Sequence, residues 1–314
     1  MPHYSFYQVD VFTDQPFGGN PLAVFPDASG LDTAQMQRIA REMNLSETTF
    51  VFPPEQAGAD FKVRIFTPDA ELPFAGHPVV GTHWTLAHLG RVTLREPLTT
   101  VHFELGVGVR AAALHVERGQ VTRVVMDHQR PDFGATAGAD QVAQLARGLG
   151  LVPEAIMDTG WPVQVVSTGI RQLFIPVRSR REIEALSPKH QDTDVMSRLC
   201  EELDPEQHCN ECLMALALDT LDPGVQVHTR MFAPGVGVAE DPATGSASGG
   251  LGAYLVEHCA IPAMPPTTHL IAEQGIEMGR PSRIGIEVDG VPGAITMVRV
   301  SGSVVPVIEG VLRW

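Results

Sequence analysis

One short pattern occurs in both halves of the chain. In the first half, Arg64-Ile-Phe-Thr-Pro68 is followed by Glu71-Leu-Pro-Phe-Ala-Gly-His77. In the second half, Arg230-Met-Phe-Ala-Pro234 is followed by Glu240-Asp-Pro-Ala-Thr-Gly-Ser246. Both copies read Arg-x-Phe-x-Pro and then Glu-x-Pro-x-x-Gly, and self-similarity of this kind indicates a duplicated structural unit. We therefore predict two pseudo-symmetric domains, in each of which a strand leads through a Pro/Gly loop into a helix.

The segment after each loop has the composition of an enclosed helix. Residues 78–89 and 246–258 carry apolar or small side chains almost all round at helical pitch. Gly249, Gly250 and Gly252 would each destabilise an exposed helix by roughly 1 kcal/mol. Close packing of neighbouring backbone explains these glycines better, so we predict that each helix lies at the centre of its domain.

Strand and helix patterns alternate along the rest of the chain. They predict an α+β fold with mixed β-strands wrapped around each central helix. Asp32 is expected to cap a helix that ends near Asn44. The predicted strands are residues 4–12, 22–25, 48–52, 61–66, 94–103, 110–116, 121–126, 162–167, 172–177, 213–218 and 225–232, and further helices are predicted at residues 140–149 and 193–203.

The length also favours two domains, because 314 residues exceed what most single cores sustain. We place the N-terminal domain at residues 1–120, together with a C-terminal strand at about 302–314. The C-terminal domain then covers residues 121–301. The active site is expected in a cleft between the two domains.

The chain is acidic, with 22 Lys and Arg residues against 37 Asp and Glu residues and a formal net charge of -15. This charge repels phosphate backbones and anionic lipids, so neither nucleic acid nor a membrane is expected as a partner. No apolar run approaches the ~18 residues that span a bilayer, and the N-terminus lacks the pattern of a secretion signal. These features predict a cytoplasmic protein in which an anionic substrate needs a local anion site.

The two helix starts are the candidates for that anion site. Gly76-His77 and Gly245-Ser246 lie where free N–H groups and the positive end of a helix would meet. A substrate carboxylate could bind there. The alternative is that Pro-x-x-Gly is only a loop and that Ser246 is only the N-cap, but the occurrence of the loop twice, each time beside an acidic residue, favours a functional role.

Glu47, Asp241 and His77 are the candidate acid/base residues. Glu47 follows a helix and precedes a strand, where a partly desolvated carboxylate would suit reversible proton transfer at carbon. By itself such a residue is more often a solvated loop carboxylate, and an Asp before Pro, such as Asp241, often only starts a turn. His77 could donate to a substrate oxygen or simply pack at the helix start.

The four cysteines, at positions 200, 209, 212 and 259, are too few for a disulfide framework. Cys209-Asn-Glu-Cys212 resembles half a zinc site, with Cys200, His208 and Cys259 as conceivable completions. No second paired motif is present, so we predict reduced thiols and no metal.

Sequence motifs for organic cofactors are also missing. There is no Gly-x-x-x-x-Gly-Lys-Ser/Thr loop and no Gly-x-Gly-x-x-Gly between a strand and a helix start. A Gly-x-Ser-x-Gly nucleophile elbow is absent too, because the serines of Gly245-Ser-Ala-Ser-Gly249 fall inside the predicted helix. We therefore expect no cofactor.

Seven segments in order along the chain resemble the PhzF (phenazine-biosynthesis-like) family. They are Gln8–Thr13, Gly19–Val24, Asn44–Val51, Arg64–Pro68, Glu71–Pro78, Glu240–Ala247 and Met278–Ser282. The resemblance implies a diaminopimelate-epimerase-like fold, usually a homodimer, with the site between two pseudo-symmetric domains. In the phenazine-pathway member, the glutamate that matches Glu47 moves a proton on a dihydro-hydroxyanthranilate ring without metal or organic cofactor.

The same resemblance implies the other site residues. His77, Asp241 and Ser246 match residues that surround the substrate, and Asn20, Gly76 and Gly245 are taken with them as substrate-binding positions. The related epimerases carry a cysteine at each helix start, whereas neither loop of this chain contains one, which argues against two-thiol racemisation.

The function predicted from these features is a cofactor-independent isomerase that moves a proton on a small carboxylate-bearing substrate. Two alternatives stay open at this point. One is an epimerase or dehydratase of a hydroxy- or amino-acid, and the other is a small-molecule-binding protein without turnover.

Overall fold

The computed structural model describes residues 3–206, 209 and 212–314. The chain packs as two compact units. The first unit runs to Asp127 and also takes in Ser301–Trp314, and the second unit is His128–Val300. Each is a mixed α+β structure dominated by β-sheet.

The described residues form 18 strands and seven α-helices. The strands are β1 (His3–Val11), β2 (Asn20–Phe25), β3 (Glu47–Phe52), β4 (Phe61–Phe66), β5 (Glu71–Leu72), β6 (Leu98–Leu105), β7 (Gly108–Glu117), β8 (Gln120–Asp127), β9 (Asp132–Thr136), β10 (Gln164–Ser167), β11 (Arg171–Pro176), β12 (Leu213–Ala217), β13 (Val227–Ala233), β14 (Val238–Asp241), β15 (Thr267–Gln274), β16 (Ser282–Asp289), β17 (Met297–Gly302) and β18 (Val304–Arg313). The helices are α1 (Thr33–Met43), α2 (Gly76–His88), α3 (Ala139–Gly148), α4 (Glu154–Met157), α5 (Arg180–Glu184), α6 (Thr193–Leu203) and α7 (Gly245–Glu257).

Local sequence sets both ends of α1. The Asp32 side chain accepts a hydrogen bond from the backbone N–H of Gln35, and the Gln35 side chain accepts one from the N–H of Asp32, which completes a capping box. At the other end, Asn44 adopts the left-handed conformation, with φ of 51°, that Asn tolerates better than most residues. The predicted cap and end of this helix are both confirmed.

In the first unit, α2 packs against a sheet in which β2 and β3 are parallel and in which β1 lies between β2 and β18, antiparallel to both. All but two of the residues of α2 are buried. A Cβ added at Gly81 would lie 2.6 Å from the Leu22 side chain and 2.8 Å from Val11. The helix backbone therefore lies directly on the sheet, as predicted for a central helix.

In the second unit, α7 has the same role. A Cβ at Gly249 would lie 2.5 Å from His128 Nδ1, one at Gly250 would lie 2.7 Å from the Phe174 ring, and one at Gly252 would lie 2.4 Å from Ile286. At the three glycines, the helix backbone therefore lies too close to its neighbours to leave room for a side chain. This confirms the prediction that close packing explains glycines that would destabilise an exposed helix.

Several predicted boundaries differ from the structure by two residues or more, and local contacts explain two of these differences. The strand predicted from residue 94 begins at Leu98, because the Thr99 hydroxyl accepts a hydrogen bond from the N–H of Arg95 and donates one to its carbonyl, which holds a turn there. The helix predicted from Pro78 begins at Gly76, so Pro78 lies in the first turn, where a missing N–H is tolerated. In the described part of the chain, no helix has both the length and the apolar character needed to cross a bilayer.

Candidate active site

The two repeated loops end in matching helix starts. Gly76 and His77 are the first two residues of α2, and Gly245 and Ser246 are the first two residues of α7. Neither helix has an N-cap side chain that bonds its first turn, so the early backbone N–H groups keep the capacity to bind an anion. The N-cap of α7 is Thr244, and the alternative that Ser246 serves only as the N-cap is therefore wrong.

Glu47 is the first residue of β3, and the parallel register places it beside Leu22 of β2. Its side chain is only 15% exposed. The alternative of a fully solvated loop carboxylate does not hold, because the strand and the helix packed on it shield the carboxyl group from most of the solvent.

Glu47 lies against His77. The Nε2 atom of His77 is 3.2 Å from Oε2 of Glu47, and the histidine side chain is 6% exposed. Burial lowers the pKa of His77 to about 3, since an imidazolium loses its hydration there. Over the neutral range, the structure therefore holds a neutral imidazole beside the carboxyl group of Glu47, and no imidazolium is buried there.

A hydrogen bond between β3 and α2 sets this geometry. The hydroxyl groups of Thr49 and Thr82 are 2.9 Å apart, and both residues are fully buried. Thr49 lies two residues after Glu47 and so projects from the same face of β3. The bond fixes α2 against the strand, about one turn and a half along the helix from His77.

Replacing Thr82 with valine is expected to lower the free energy of unfolding by about 0.5–1.5 kcal/mol, because the buried Thr49 hydroxyl loses its 2.9 Å partner and keeps only a 3.4 Å hydrogen bond to the Ala23 carbonyl. Urea titration measures this loss. The double variant Thr49→Val/Thr82→Val is expected to be less destabilised than the sum of the two single variants, since no buried hydroxyl is left unpaired. Additive losses would show that the two hydroxyls do not act as a pair.

Asn20 is the first residue of β2 and is fully buried. It lies opposite Val11 of β1 and two residues before Leu22, the strand neighbour of Glu47. Asn20 and Glu47 therefore both begin neighbouring parallel strands, at the same edge of the first unit.

The remaining predicted residues lie in the second unit. Asp241 ends β14, and its Oδ2 accepts a hydrogen bond of 2.5 Å from the Thr244 hydroxyl. The Ser246 hydroxyl accepts a 3.4 Å hydrogen bond from the side-chain amide of Gln172. Sequence reasoning did not single out Gln172 or Thr244, because each is unremarkable in its own strand or loop and acquires its role only through these contacts.

The structure thus brings the predicted residues together in two groups. Glu47, His77 and Gly76 meet in the first unit, and Asp241, Gly245 and Ser246 lie on one loop and helix start in the second. That both groups face one substrate in a cleft stays a prediction.

Comparison with known proteins fits this arrangement. The profile of the phenazine biosynthesis-like protein family, PhzC-PhzF, matches residues 9–310. The chain belongs to the PhzF family. A trans-2,3-dihydro-3-hydroxyanthranilate isomerase of Pseudomonas fluorescens is 39% identical to it over 303 residues, which are 96% of each chain. The protein is accordingly an isomerase.

Solved structures give the same fold. A PhzF-family phenazine biosynthesis protein of Bacillus anthracis superposes on this chain with a TM-score of 0.86 at 29% identity, over 100% of both chains. A hydroxyproline epimerase of Agrobacterium vitis, at 14% identity, covers 99% of this chain with a TM-score of 0.62. The predicted epimerase-like fold is confirmed.

None of the four cysteines of this PhzF protein belongs to either helix start. Cys200, Cys209 and Cys212 are buried and Cys259 is exposed, and the Cys209 thiol donates to the carbonyl of Cys200 at 3.9 Å. The neighbouring Cys200, together with burial, raises the pKa of Cys209, so that thiol stays protonated. His208, one conceivable zinc ligand, lies outside the described residues, among which no group of three metal-ligating side chains occurs.

Acid is expected to destabilise this PhzF protein through three buried histidines. Burial lowers the pKa of His77 to about 3 and the pKa values of His83 and His128 to about 4, from the ordinary 6.5. Between the lowered pKa values and 6.5, the unfolded chain therefore binds more protons than the folded chain. The contribution of the three histidines to the free energy of unfolding is complete above about pH 6.5 and is lost as the pH falls towards 4. Each histidine contributes up to about 1.4 kcal/mol for each pH unit. Urea titrations at pH 7.5 and pH 5 measure the loss.

The control for this prediction is His77→Gln, which cannot take up the proton and should show a smaller loss between the two pH values. His228 acts in the opposite direction between the two pH values, and it does so equally in the wild type and in the variant. Burial disfavours its charged form, but Glu277 and Glu273 outweigh burial and raise its pKa, so its stabilising contribution is complete below pH 6.5. An equal loss in His77→Gln and in the wild type would contradict the assignment of His77.

Proposed function

We propose that this protein moves a proton between two carbons of a small, unsaturated carboxylic acid, with Glu47 as the single proton carrier and without metal or organic cofactor. The substrate class is that of trans-2,3-dihydro-3-hydroxyanthranilate. The observation that carries the proposal is the Glu47–His77 pair at the start of α2, where a shielded carboxylate lies 3.2 Å from a buried imidazole.

The step needs only one base. The Glu47 carboxylate takes a proton from a carbon that is acidified by conjugation, and the C–H electron pair moves into the conjugated system. The protonated Glu47 then delivers the same proton to another carbon of that system, so that one C–H bond breaks, another forms, and the double bonds shift. Substrate and product have the same atoms and electrons, and Glu47 ends as it began.

The other residues bind and orient the substrate. The neutral His77 donates to or accepts from a substrate oxygen or nitrogen near the reacting carbon. The N–H groups at Gly76 and Gly245 stabilise the substrate carboxylate and the negative charge that develops in the transition state. Asn20, Asp241 and Ser246 orient the polar substituents of the ring.

Deuterium incorporation tests the proposal. Wild-type protein is incubated with trans-2,3-dihydro-3-hydroxyanthranilate in D2O, and the product is analysed by NMR and mass spectrometry. We expect isomerised product with deuterium at the newly protonated carbon, in a fraction set by exchange of the Glu47 proton with solvent during its transfer. Absence of turnover of this substrate and of its close analogues would refute the proposal.

The alternatives give different results. A binding protein would show a calorimetric signal for the ligand that is unchanged in Glu47→Gln, with no turnover by the wild type. An epimerase would invert one stereocentre without moving a double bond, and a dehydratase would release water. The presence of His77 and Ser246, rather than two cysteines, at the helix starts supports isomerisation. We further propose that the protein is a cytoplasmic homodimer. Light scattering in solution measures the mass of the particle and so tests the dimer.

A further inference from the structure

Three positions around the second loop are polar, whereas their equivalents in the first unit are apolar. The repeat aligns Glu71 with Glu240, and the first two positions are matched by counting along the two loops from these residues. The third position is the last residue of β6 in one unit and of β15 in the other. The polar positions are Asp241, Thr244 and Gln274, and their equivalents are Leu72, Ala75 and Leu105.

The equivalence of the third position rests on the strands that precede it. Glu104, next to Leu105, accepts hydrogen bonds from two backbone N–H groups of the chain before β4, and Glu273, next to Gln274, does the same before β13. Gly106 then faces Pro73 of the first loop, and Gly275 faces Pro242 of the second. The two strand ends therefore approach their loops in the same way.

In the second unit the three polar side chains bond to one another. The Gln274 amide donates to the backbone carbonyl of Asp241 at 2.7 Å and to the Thr244 hydroxyl at 3.0 Å, and it accepts from the backbone N–H of Thr244 at 3.2 Å. The Thr244 hydroxyl in turn donates to Oδ2 of Asp241 at 2.5 Å. Gln274 is fully buried, and each of these three hydrogen bonds of its amide goes to this loop.

Folding alone does not demand these polar residues. The first loop makes the same turn into α2 with leucine, alanine and leucine at these positions, and burying an amide costs free energy unless its hydrogen bonds are recovered. What the polar set adds is a fixed direction for the Asp241 carboxylate, because a carboxylate oxygen bonded to a hydroxyl that is itself bonded cannot rotate freely.

We propose that Thr244 and Gln274 are positioning residues that hold the Asp241 carboxylate in the orientation needed by the substrate. The proposal rests on the function proposed above, in which Asp241 contacts the substrate. Thr244 acts through its hydroxyl on the carboxylate, and Gln274 holds both the hydroxyl and the backbone of the loop.

Kinetics test the role of Thr244. Thr244→Val removes the hydroxyl with little change of shape and is expected to lower kcat/KM about 10-fold or more, whereas Thr244→Ser keeps the hydroxyl and should stay within about threefold of wild type. In an Asp241→Asn background, Thr244→Val should change kcat/KM less than about twofold, because its effect passes through the carboxylate. Equal damage by valine and serine, or an unchanged effect in the Asp241→Asn background, overturns the proposal.

Hydrogen exchange tests Gln274 without reference to activity. Gln274→Leu, which introduces the residue of the first unit, should speed exchange of the Thr244 amide roughly 10-fold, since its acceptor is gone. The matched control is Gln226→Leu, because the Gln226 side chain likewise accepts a hydrogen bond from a backbone N–H group, that of Ile271, and its amide donates to the carbonyl of Gly224. This control should leave both the Thr244 exchange rate and kcat/KM at wild-type values.

The two arms separate the possible failures. If the wild type turns over no substrate, the proposed function fails, and the exchange arm alone decides whether Gln274 holds the loop. If turnover is present but Gln274→Leu leaves the Thr244 exchange rate and kcat/KM unchanged, the positioning proposal fails while the proposed function stands.

Discussion

Glu47→Gln is expected to lower kcat about 1000-fold in a protein that remains folded. The amide has nearly the shape of the carboxylate but cannot accept a proton from carbon, and positioned acid/base groups contribute about 10²–10⁴-fold to rate. The neighbouring His77 does not replace it, because burial holds the pKa of His77 at about 3 and makes its imidazole a poor base. Steady-state kinetics and deuterium incorporation measure the loss.

The control for this variant is Glu42→Gln, which makes the same chemical change at an exposed glutamate of α1 in the same unit. It should retain wild-type kcat and KM. Ligand binding by Glu47→Gln, followed by calorimetry, is expected to persist, since the helix-start N–H groups are unaltered. Wild-type turnover by Glu47→Gln would remove Glu47 from the mechanism.

Arg230→Met is expected to lower the free energy of unfolding of the second unit by about 3–5 kcal/mol. The Arg230 guanidinium bonds both carboxylate oxygens of Glu240 at 2.7 Å and the carbonyls of Ile183 and Leu186, and its side chain is 4% exposed. Removing the cation leaves the carboxylate of Glu240, 9% exposed, without compensation, which is the costly way to break a buried ion pair. Urea or thermal unfolding measures the loss.

The repeat supplies the control. Arg64 and Glu71 occupy the equivalent positions and also pair through two hydrogen bonds, but their side chains are 24% and 38% exposed. Water screens this pair and solvates the glutamate left behind, so Arg64→Met should cost only about 1 kcal/mol. The double variant Arg230→Met/Glu240→Leu should recover much of the stability lost in Arg230→Met. Equal losses at Arg64 and Arg230 would contradict this assignment.

The elements predicted most closely are those whose causes are local in sequence. The first helix begins and ends at its predicted caps because Asp32 and Asn44 bond to backbone within a few residues. The glycines of α7 indicate close packing, because glycine destabilises a helix unless neighbouring groups must approach its backbone closely. The strand predicted from residue 94 is an exception with a local cause. A single hydroxyl, that of Thr99, holds the preceding turn, and the alternation of apolar and polar residues does not reveal such a hydrogen bond.

The candidate site divides in the same way. The loop repeat identified His77 and Ser246 as residues of helix starts and Asp241 as a residue of the second loop, because the pattern that forms the loop is itself local. Gln274 was not identified, since it ends a strand far along the chain and meets the loop only through the parallel pairing of β13 with β15. Ser282 was known only as part of a family signature, and the fold shows that its hydroxyl bonds the carbonyls of Pro242 and Gln274.

The sequence by itself therefore determined the duplicated architecture, the two central helices and the residue types at their starts, because periodicity, caps and glycine placement depend on short-range geometry. Only the tertiary structure decided that Glu47 is shielded and lies 3.2 Å from a neutral His77. It also decided that one Arg–Glu pair of the repeat is buried and the other is partly exposed. Burial and charge pairing depend on which strands, distant in sequence, pack together. A short sequence motif does not specify that packing.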